Sequence, residues 1–391
     1  MKILFIVQNI TGQGTFLRAF EIAKALTQMG HSMTIIASSH DVRKKAHTRK
    51  IEGIRIIEVS NFSIGPTQSG WDLYNVFFRK KMIQHEKFDI VHGFETRPTV
   101  IYPALAVKRR GVPLYLDWAD WFGKGGSVEE RPNPILRTIL RPIETYYENH
   151  FRKLPRGTTV ICSTLKERAI HLGVNEENLS IIPNGFNLTD WSPMPINLAK
   201  QICLLEGNSM NIGYLGSLFP SDSILLANSF NKLCLKEPRA KLIHVGKTNY
   251  QVKQHINNHT ALLETGQVDF KEMMTYLSAC DILWLPFRNN LANQGRFPYK
   301  FTNYLASGRP IIATEVGDIP NFIQQYQTGA VTKDTAEAIS QATYQLFHDT
   351  QRCERYAKNA LNLSKNPKHN WANRAEKLIS FYTKGLSPTY D

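Results

Sequence analysis

Residues 295–320 read GRFPYKFTNYLASGRPIIATEVGDIP. Pro298 suits the first turn of a helix, where its missing N–H would have had no partner anyway. Gly308, after Ala306 and Ser307, stands where a helix needs a left-handed residue to end. Arg309-Pro310 then opens Ile311-Ile312-Ala313, a short apolar run of the kind buried on both faces of a parallel sheet. Gly317 marks a turn, and Pro320 the start of another helix. Helix, strand, turn and helix in so short a stretch predict an α/β chain.

The same grammar runs outward. Residues 210–218, MNIGYLGSL, read as a strand ending in a glycine turn, and 241–246 as another with Gly246 at its exit. Residues 273–277 read as a helix and 282–286 as a buried strand. At the other end, 2–7 form a strand, 8–14 a loop, 15–29 a helix with Phe16, Phe20, Ala23 and Leu26 at helical spacing, and 33–37 a second strand, which makes a βαβ unit. Gly12-Gln13-Gly14 tempts a dinucleotide reading, but Leu17 stands where the third glycine of G-x-G-x-x-G belongs. Two readings of that loop stay open: a tight turn, or a helix N-terminus that favours an anion. Residues 88–92 form a buried strand with His92 and Glu95 at its C-terminal end, the end where doubly wound sheets bind ligands. Residues 113–122, PLYLDWADWF, are the next strand and its exit. Gly123-Lys124-Gly125-Gly126 then reads as a mobile loop of the kind that covers active sites. Residues 134–154 are helical and basic.

Composition narrows the function classes. The chain has 391 residues, enough for two or three domains, and 42% of it is hydrophobic. The net charge of +14 suits nucleic acid, an anionic membrane or anionic substrates. No nucleic-acid module is present, which leaves membrane surface and phosphorylated substrates. The basic clusters at Arg43, Lys44, Lys45, Arg49, Lys50 and at Arg79, Lys80, Lys81, the latter beside Trp71, Tyr74, Phe77 and Phe78, suit a helix lying on anionic lipid. They equally suit a helix with aromatics inward and charges solvated. Five scattered cysteines without C-x-x-C predict reduced thiols and a cytoplasmic protein. No run approaches a membrane span, and Met1–Val7 is too short for a signal peptide. His255 and His259 could share a helix face, but no third ligand is evident, so no metal site is expected.

The 295–320 stretch resembles the donor-binding motif of the retaining glycosyltransferases of family 4 (glycosyl transferases group 1), which have the GT-B architecture. Phe297 and the run Tyr304 to Pro310 match, and Pro298-Tyr299-Lys300 reproduces the Pro-x-Lys of a related subset. Residues 181–191, IIPNGFNLTDW, resemble the family's I-P-N-G-V-D, and Gly30-His31 its Gly-His before the second strand. The resemblance implies two Rossmann-like doubly wound domains facing across a cleft. It places an acceptor-side domain at 1–190, a linker at 191–207, a donor domain at 208–370 and a helix at 371–391 that crosses back to the first domain. It implies sugar transfer from a nucleotide-sugar to a glycan or lipid-linked acceptor of cell-surface polysaccharide assembly. No cofactor, metal or nucleic acid is implied.

By that resemblance Gly14, Gly216, Ser217, Lys247, Val268, Arg296, Phe297, Lys300 and Asn303 face the donor, Gly12 and Glu95 the acceptor, and Asp120 and His92 the chemistry. Asp120 orients the acceptor hydroxyl or takes its proton, or else caps the following segment. The chain also departs from the pattern. Gly295 and Asn303 replace two motif glutamates, Ser217 replaces the arginine after the glycine turn, and Asp222 stands where a phosphate-binding lysine is usual. An acid there is expected to repel a diphosphate. Asn303 can still bond a ribose, without charge assistance. These losses leave two other readings in view: a catalytically silent GT-B subunit that binds a partner enzyme, and a nucleotide-sugar epimerase.

Overall fold

A computed structural model describes residues 1–62, 70–186, 192–247 and 250–386. The chain divides into two compact units, one of residues 1–129, 134–185 and 370–391, the other of residues 130–133 and 186–369. The 187–191 part of the quoted IIPNGFNLTDW run lies outside the described residues.

Among the described residues the first unit has eight strands: β1 (Lys2–Ile10), β2 (Ser32–Val42), β3 (His47–Ile51), β4 (Ile54–Asn61), β5 (Ile90–Phe94), β6 (Leu114–Trp118), β7 (Gly157–Val160) and β8 (Leu179–Ile181). Their order is β3-β4-β2-β1-β5-β6-β7-β8, and only β3 and β4 pair antiparallel. Glu52 and Gly53, both at positive φ, turn that hairpin. The hairpin carries Arg49 and Lys50, so part of the basic run at 43–50 is the charged edge of a sheet, where exposed cations discourage pairing with another chain. The remaining strands are parallel and, β8 apart, buried in their middles, with Leu4, Ile6, Ile36, Val91 and Leu116 in one apolar layer. The last helix, Trp371–Leu386, belongs to this unit.

The second unit carries β9 (Met210–Leu215), β10 (Ala240–Val245), β11 (Leu262–Glu264), β12 (Ile282–Leu285), β13 (Ile311–Thr314) and β14 (Gly329–Thr332). The order β11-β10-β9-β12-β13-β14, all parallel, is the doubly wound arrangement, and its strand order reverses between β9 and β12. Within residues 295–320 the helix is Lys300–Ala306, Gly308 ends it at φ +62, β13 follows, and Pro320 lies in the first turn of Ile319–Tyr326. Pro298 stands just ahead of the helix, and the Phe301 N–H donates to its carbonyl. His255 ends the helix Tyr250–His255 while His259 opens a separate 3₁₀ turn, so the two histidines do not share a face.

The helix Leu73–Ile83 corrects one reading of the basic clusters. Arg79 is fully buried, and its guanidinium donates to the carbonyls of Val7 and Thr99, to Ser38 Oγ and to Asn75 Oδ1. Burial lowers its pKa to about 9, yet four oxygens hold the cation without a carboxylate. Arg79 is therefore a bolt between helix and sheet, and only Lys80 and Lys81 of that cluster face outward. Arg79→Ala should cost about 3 kcal/mol in urea unfolding, because it strands buried carbonyls, whereas Lys81→Ala should change stability by less than about 0.5 kcal/mol.

Candidate functional site

In the second unit the C-terminal ends of β9 and β12 converge at the reversal of strand order. Gly216 leaves β9 at φ +79, and the space where a side chain would lie is bounded by Lys300 Nζ at 3.8 Å. Only glycine takes that conformation without strain. His244 fixes the turn from below: its Nε2 lies 2.9 Å from the Gly216 carbonyl, so that nitrogen carries the proton and donates. Lys300, in the first turn of its helix, donates to the Tyr214 hydroxyl and, at 3.1 Å, to the Ser217 carbonyl, and lies 4.1 Å from the centre of the Tyr214 ring. Burial first, and the neighbouring Arg296 second, lower its pKa well below that of an ordinary lysine. An arriving anion would restore the charged form.

Arg296 is sandwiched between Phe219 and Phe287, at 4.5 and 4.4 Å. Its Nη2 donates to Asp222 Oδ2 at 3.2 Å and to Asn293 Oδ1. The other Asp222 oxygen accepts from the Arg288 N–H and from Asn293 Nδ2, both at 2.8 Å. Asp222 is completely buried; burial raises its pKa and Arg296 pulls it back. The expected repulsion of a diphosphate by Asp222 is thus corrected: both of its oxygens are turned to the protein, where they hold Arg296 and the 288–293 turn.

Ser217 and Lys247 are exposed beside these groups in sequence, Val268 is half-buried after β11, and Asn303 is buried three residues beyond Lys300 on its helix. Phe297 does not present itself to a ligand. It is a core residue packed on Phe301 and Phe322, at 5.8 and 5.5 Å. Among the described residues no group of three His, Cys, Asp or Glu side chains is placed to hold a metal.

In the first unit the loop after β1 carries Gly12 and Gly14, both at positive φ. Asn9 Oδ1 accepts from the N–H and hydroxyl of Thr15, at 3.1 and 2.5 Å, and caps the helix Thr15–Gln28. A Cβ on Gly14 would meet Asn9 Nδ2 at 2.6 Å, so Gly14 also makes room for this cap, while the space beside Gly12 is open. One turn into the helix, Arg18 is buried and clamps Asp117 with two bonds of 2.9 Å, and it donates further to Asn184 Oδ1 and the Ile182 carbonyl. Asp120 lies half-buried where the chain leaves β6.

His92 and Glu95 are turned inward, against the expectation that they meet substrate. His92 is 1% exposed, and its ring nitrogens meet the hydroxyls of Tyr382 at 2.5 Å and Thr159 at 3.3 Å. The Thr159 hydroxyl donates to Asp117 at 2.5 Å, so it accepts from His92 Nε2–H, and Nδ1 accepts from Tyr382. Burial drives the His92 pKa down to about 4. Glu95, also buried and at φ +76, accepts from the Ala119 N–H at 2.7 Å and from Arg152 at 2.6 Å. Burial pushes its pKa up to about 8 against the pull of Arg152. Glu95 therefore fixes the residue before Asp120 and leaves Asp120 as the carboxylate of this set nearer solvent.

The 123–126 loop is likewise anchored. Glu148 accepts from the N–H groups of Phe122 and Gly123, at 2.9 and 3.1 Å, and from Trp118 Nε1 at 3.1 Å. A Cβ on Gly126 would lie 2.2 Å from the Trp121 carbonyl. Sequence reasoning missed Glu148, which in the sequence is one more acid on a polar helix, and missed Arg18 for the same reason.

Residues 12–190 match the model of Glycosyltransferase Family 4, and residues 209–349 match that of Glycosyl transferases group 1. A Bacillus subtilis (strain 168) protein named as a teichuronic acid biosynthesis glycosyltransferase, TuaH, is 26% identical over 172 residues, 42% of each chain, so the match spans less than half of that relative. Among solved structures, the sucrose-phosphate synthase of Thermosynechococcus elongatus superposes with a TM-score of 0.76 at 15% identity, covering 98% of this chain and 99% of that one. WaaG, a glycosyltransferase involved in lipopolysaccharide biosynthesis, gives 0.71 at 14% identity over 96% and 99%. Anabaena HepE, solved in complex with UDP, gives 0.69 at 14% over 98% and 100%. At these identities the structures establish the shared fold.

The His92 environment sets a pH dependence. Its pKa is lowered on folding from 6.5 to about 4, so its contribution is complete above pH 6.5 and is lost as pH falls through 4. The unfolding free energy measured in urea should drop across that window by an amount on the order of 3 kcal/mol. In His92→Gln this drop should shrink between pH 6.5 and 4.5; an unchanged slope would mean that His92 is not held neutral.

Proposed function

We propose that this chain, whose two halves match the glycosyltransferase models of family 4 and group 1, moves a sugar from a nucleotide-sugar to a glycan or lipid-linked acceptor in cell-surface polysaccharide assembly, with retention at the anomeric carbon and without a required metal. The observation that carries this reading is the glycine notch at Gly216 with Lys300 Nζ over it and Arg296 beside it. A diphosphate needs backbone it can approach closely and cations with no competing carboxylate in reach. Gly216 supplies the first. Lys300 supplies the second, because its current partners are a neutral hydroxyl and a carbonyl. Arg296, already stacked and tied to Asp222, is preorganised and needs little ordering on binding.

In this reading Lys300 and Arg296 stabilise the charge that develops on the leaving diphosphate, the step where electrostatic preorganisation lowers the barrier most. Asn303 hydrogen-bonds the ribose, Val268 lies against the base, and Ser217 and Lys247 contribute polar contacts. On the acceptor side Gly12 leaves backbone open to the sugars, and Asp120 orients the acceptor hydroxyl. TuaH, named for teichuronic acid, supports a cell-surface polysaccharide as the product class. The proposed setting is the cytoplasm, peripherally on the inner face of the membrane. Among the described residues no helix is long and apolar enough to cross a bilayer.

A specific observation keeps one rival in play. Residue 295 is glycine and residue 303 asparagine, so neither motif position carries a carboxylate, which suits a non-catalytic subunit that assists a partner enzyme. Calorimetric titration with UDP and GDP, first without metal and then with magnesium, separates the two. We expect saturable metal-independent binding of one nucleotide, weakened at least about tenfold in Lys300→Ala, the scale of a lost charge-assisted contact. No binding of either at millimolar concentration would overturn the donor site and leave the silent-subunit reading, and binding that requires magnesium would overturn the metal-free part.

A further inference from the structure

The strand β10 ends directly against the glycine turn of the notch. The Gly216 N–H donates to the Val245 carbonyl at 2.7 Å, and a Cβ on Gly246 would lie 3.2 Å from the Gly216 Cα. One residue before Val245, His244 is completely buried, with Nε2 2.9 Å from the Gly216 carbonyl. That carbonyl is one end of the Gly216–Ser217 peptide, the backbone of the turn.

The other ring nitrogen has no such partner. Nε2 donates, so Nδ1 of the neutral ring carries a lone pair, and among the described residues nothing hydrogen-bonds it. An unsatisfied polar atom in a buried place costs about 1–3 kcal/mol and calls for a reason. What Nδ1 faces is Glu264, the register partner of His244 on β11, with Oε1 3.7 Å away. Two acceptors therefore oppose each other, and a proton on Nδ1 would turn that opposition into a charge-assisted pair.

The surrounding groups set when this proton is held. Burial is the largest influence and lowers the His244 pKa; the Gly216 carbonyl and Glu264 raise it, and Lys300 lowers it. Tyr214, on β9, lies 5.8 Å from the imidazole between ring centres, and burial raises its pKa well above 10, so its hydroxyl stays neutral. Beyond Lys300, Arg296 and Asp222 are paired with each other. Among these groups the cation that opposes protonation is Lys300, the one a diphosphate would sit on. A nucleoside diphosphate brings more negative charge than Lys300 offsets, so its arrival favours a proton at Nδ1.

We propose that His244 is a positioning residue of the donor notch: when a nucleoside diphosphate binds beside Gly216, His244 Nδ1 takes up one proton from solvent and donates it to Glu264, while Nε2 keeps its hold on the Gly216 carbonyl. The bond formed is N–H, the ring gains one positive charge, and that charge lies behind the backbone the phosphates approach. This inference rests on the donor-site reading and deepens it, because donor affinity becomes linked to pH. The sign follows from linkage: a group that keeps its proton to higher pH in the complex than in the unliganded protein makes binding tighter as pH falls.

The test is calorimetric titration of the full chain with UDP and with GDP between about pH 6.5 and about pH 8.5, in buffers of different ionisation enthalpy, which counts the protons taken up. The parent is compared with His244→Gln and with Glu264→Gln. Glutamine at 244 can still donate to the Gly216 carbonyl but cannot take a proton, and glutamine at 264 can donate its amide to Nδ1 of the neutral ring. Titration of Lys300 and of the nucleotide is common to all three proteins. We expect the parent to gain at least about fivefold in affinity over either variant from the upper to the lower end of that range, and to take up about half a proton more at neutral pH. At the upper end all three should bind within about twofold of one another. Variants with the parent's pH slope, or with affinity lowered equally at every pH, would overturn the proposal and leave the donor site standing. No binding of UDP or GDP by the parent would overturn it together with the donor site. Melting curves check the fold, and Glu264, whose side chain is 14% exposed, keeps the test decisive if His244→Gln does not fold.

Discussion

A buried carboxylate has to be answered, and at five positions this chain answers with arginine. Asp117 meets Arg18, Glu95 meets Arg152, Glu144 meets Arg97, Glu148 meets Arg168 and Asp222 meets Arg296, each within 3.2 Å. Isolated, any of these charges would cost several kcal/mol to bury; paired and further hydrogen-bonded, the cost is largely offset. The pairs add little net stability over an apolar core of the same volume. They fix geometry: each ties an element that follows a strand to a residue distant in sequence. A guanidinium is suited to this because its five N–H donors reach a carboxylate and nearby carbonyls together, as Arg152 does with Glu95 and the Asp117 carbonyl.

Aromatic rings complete this scaffold where β6 ends. Arg152 lies 4.5 Å from the Trp118 ring, Arg168 3.8 Å from Trp121, and Arg97 4.5 Å from Phe122. Glu148 then binds the backbone between those rings. The exit of β6, with Asp120 on it, is thus held by stacking on its side chains and by hydrogen bonds on its backbone. Two glycines in this loop are there because a Cβ would strike Glu148 or the Trp121 carbonyl. In the sequence the same glycines read as signs of mobility; packed, they are signs of close approach.

That contrast shows what was legible. Strand after strand came from apolar runs punctuated by glycine and proline, because burial on both faces of a parallel sheet leaves that trace whatever the partners are. The left-handed turn at Gly308 and the glycine exit of β9 were legible too. The hairpin β3–β4 was not, since its outer strand is polar and carries the cations of an edge. Side-chain direction was the other blind spot. Arg79, Arg18, Glu148 and Asp222 look solvated in a linear reading, yet all four are buried. What decides their direction is a partner far along the chain, 99 residues away for Arg18 and Asp117, and no local period encodes it. His92 and Glu95 failed as accessible groups for the same reason.

The departures from the family pattern around Gly216 are best understood as one linked change. Asp222 lies in the first turn of the helix Pro220–Lys236, and left alone it would be a buried anion. It is not alone: Arg296, Asn293 and the Arg288 N–H bind both of its oxygens. Arg296 is thereby held by Asp222 and gripped between two phenylalanine rings. Lys300 then lies next to a guanidinium in a desolvated place, and both effects disfavour its charge. An anion between the two cations would relieve that strain, whereas a neutral ligand would not.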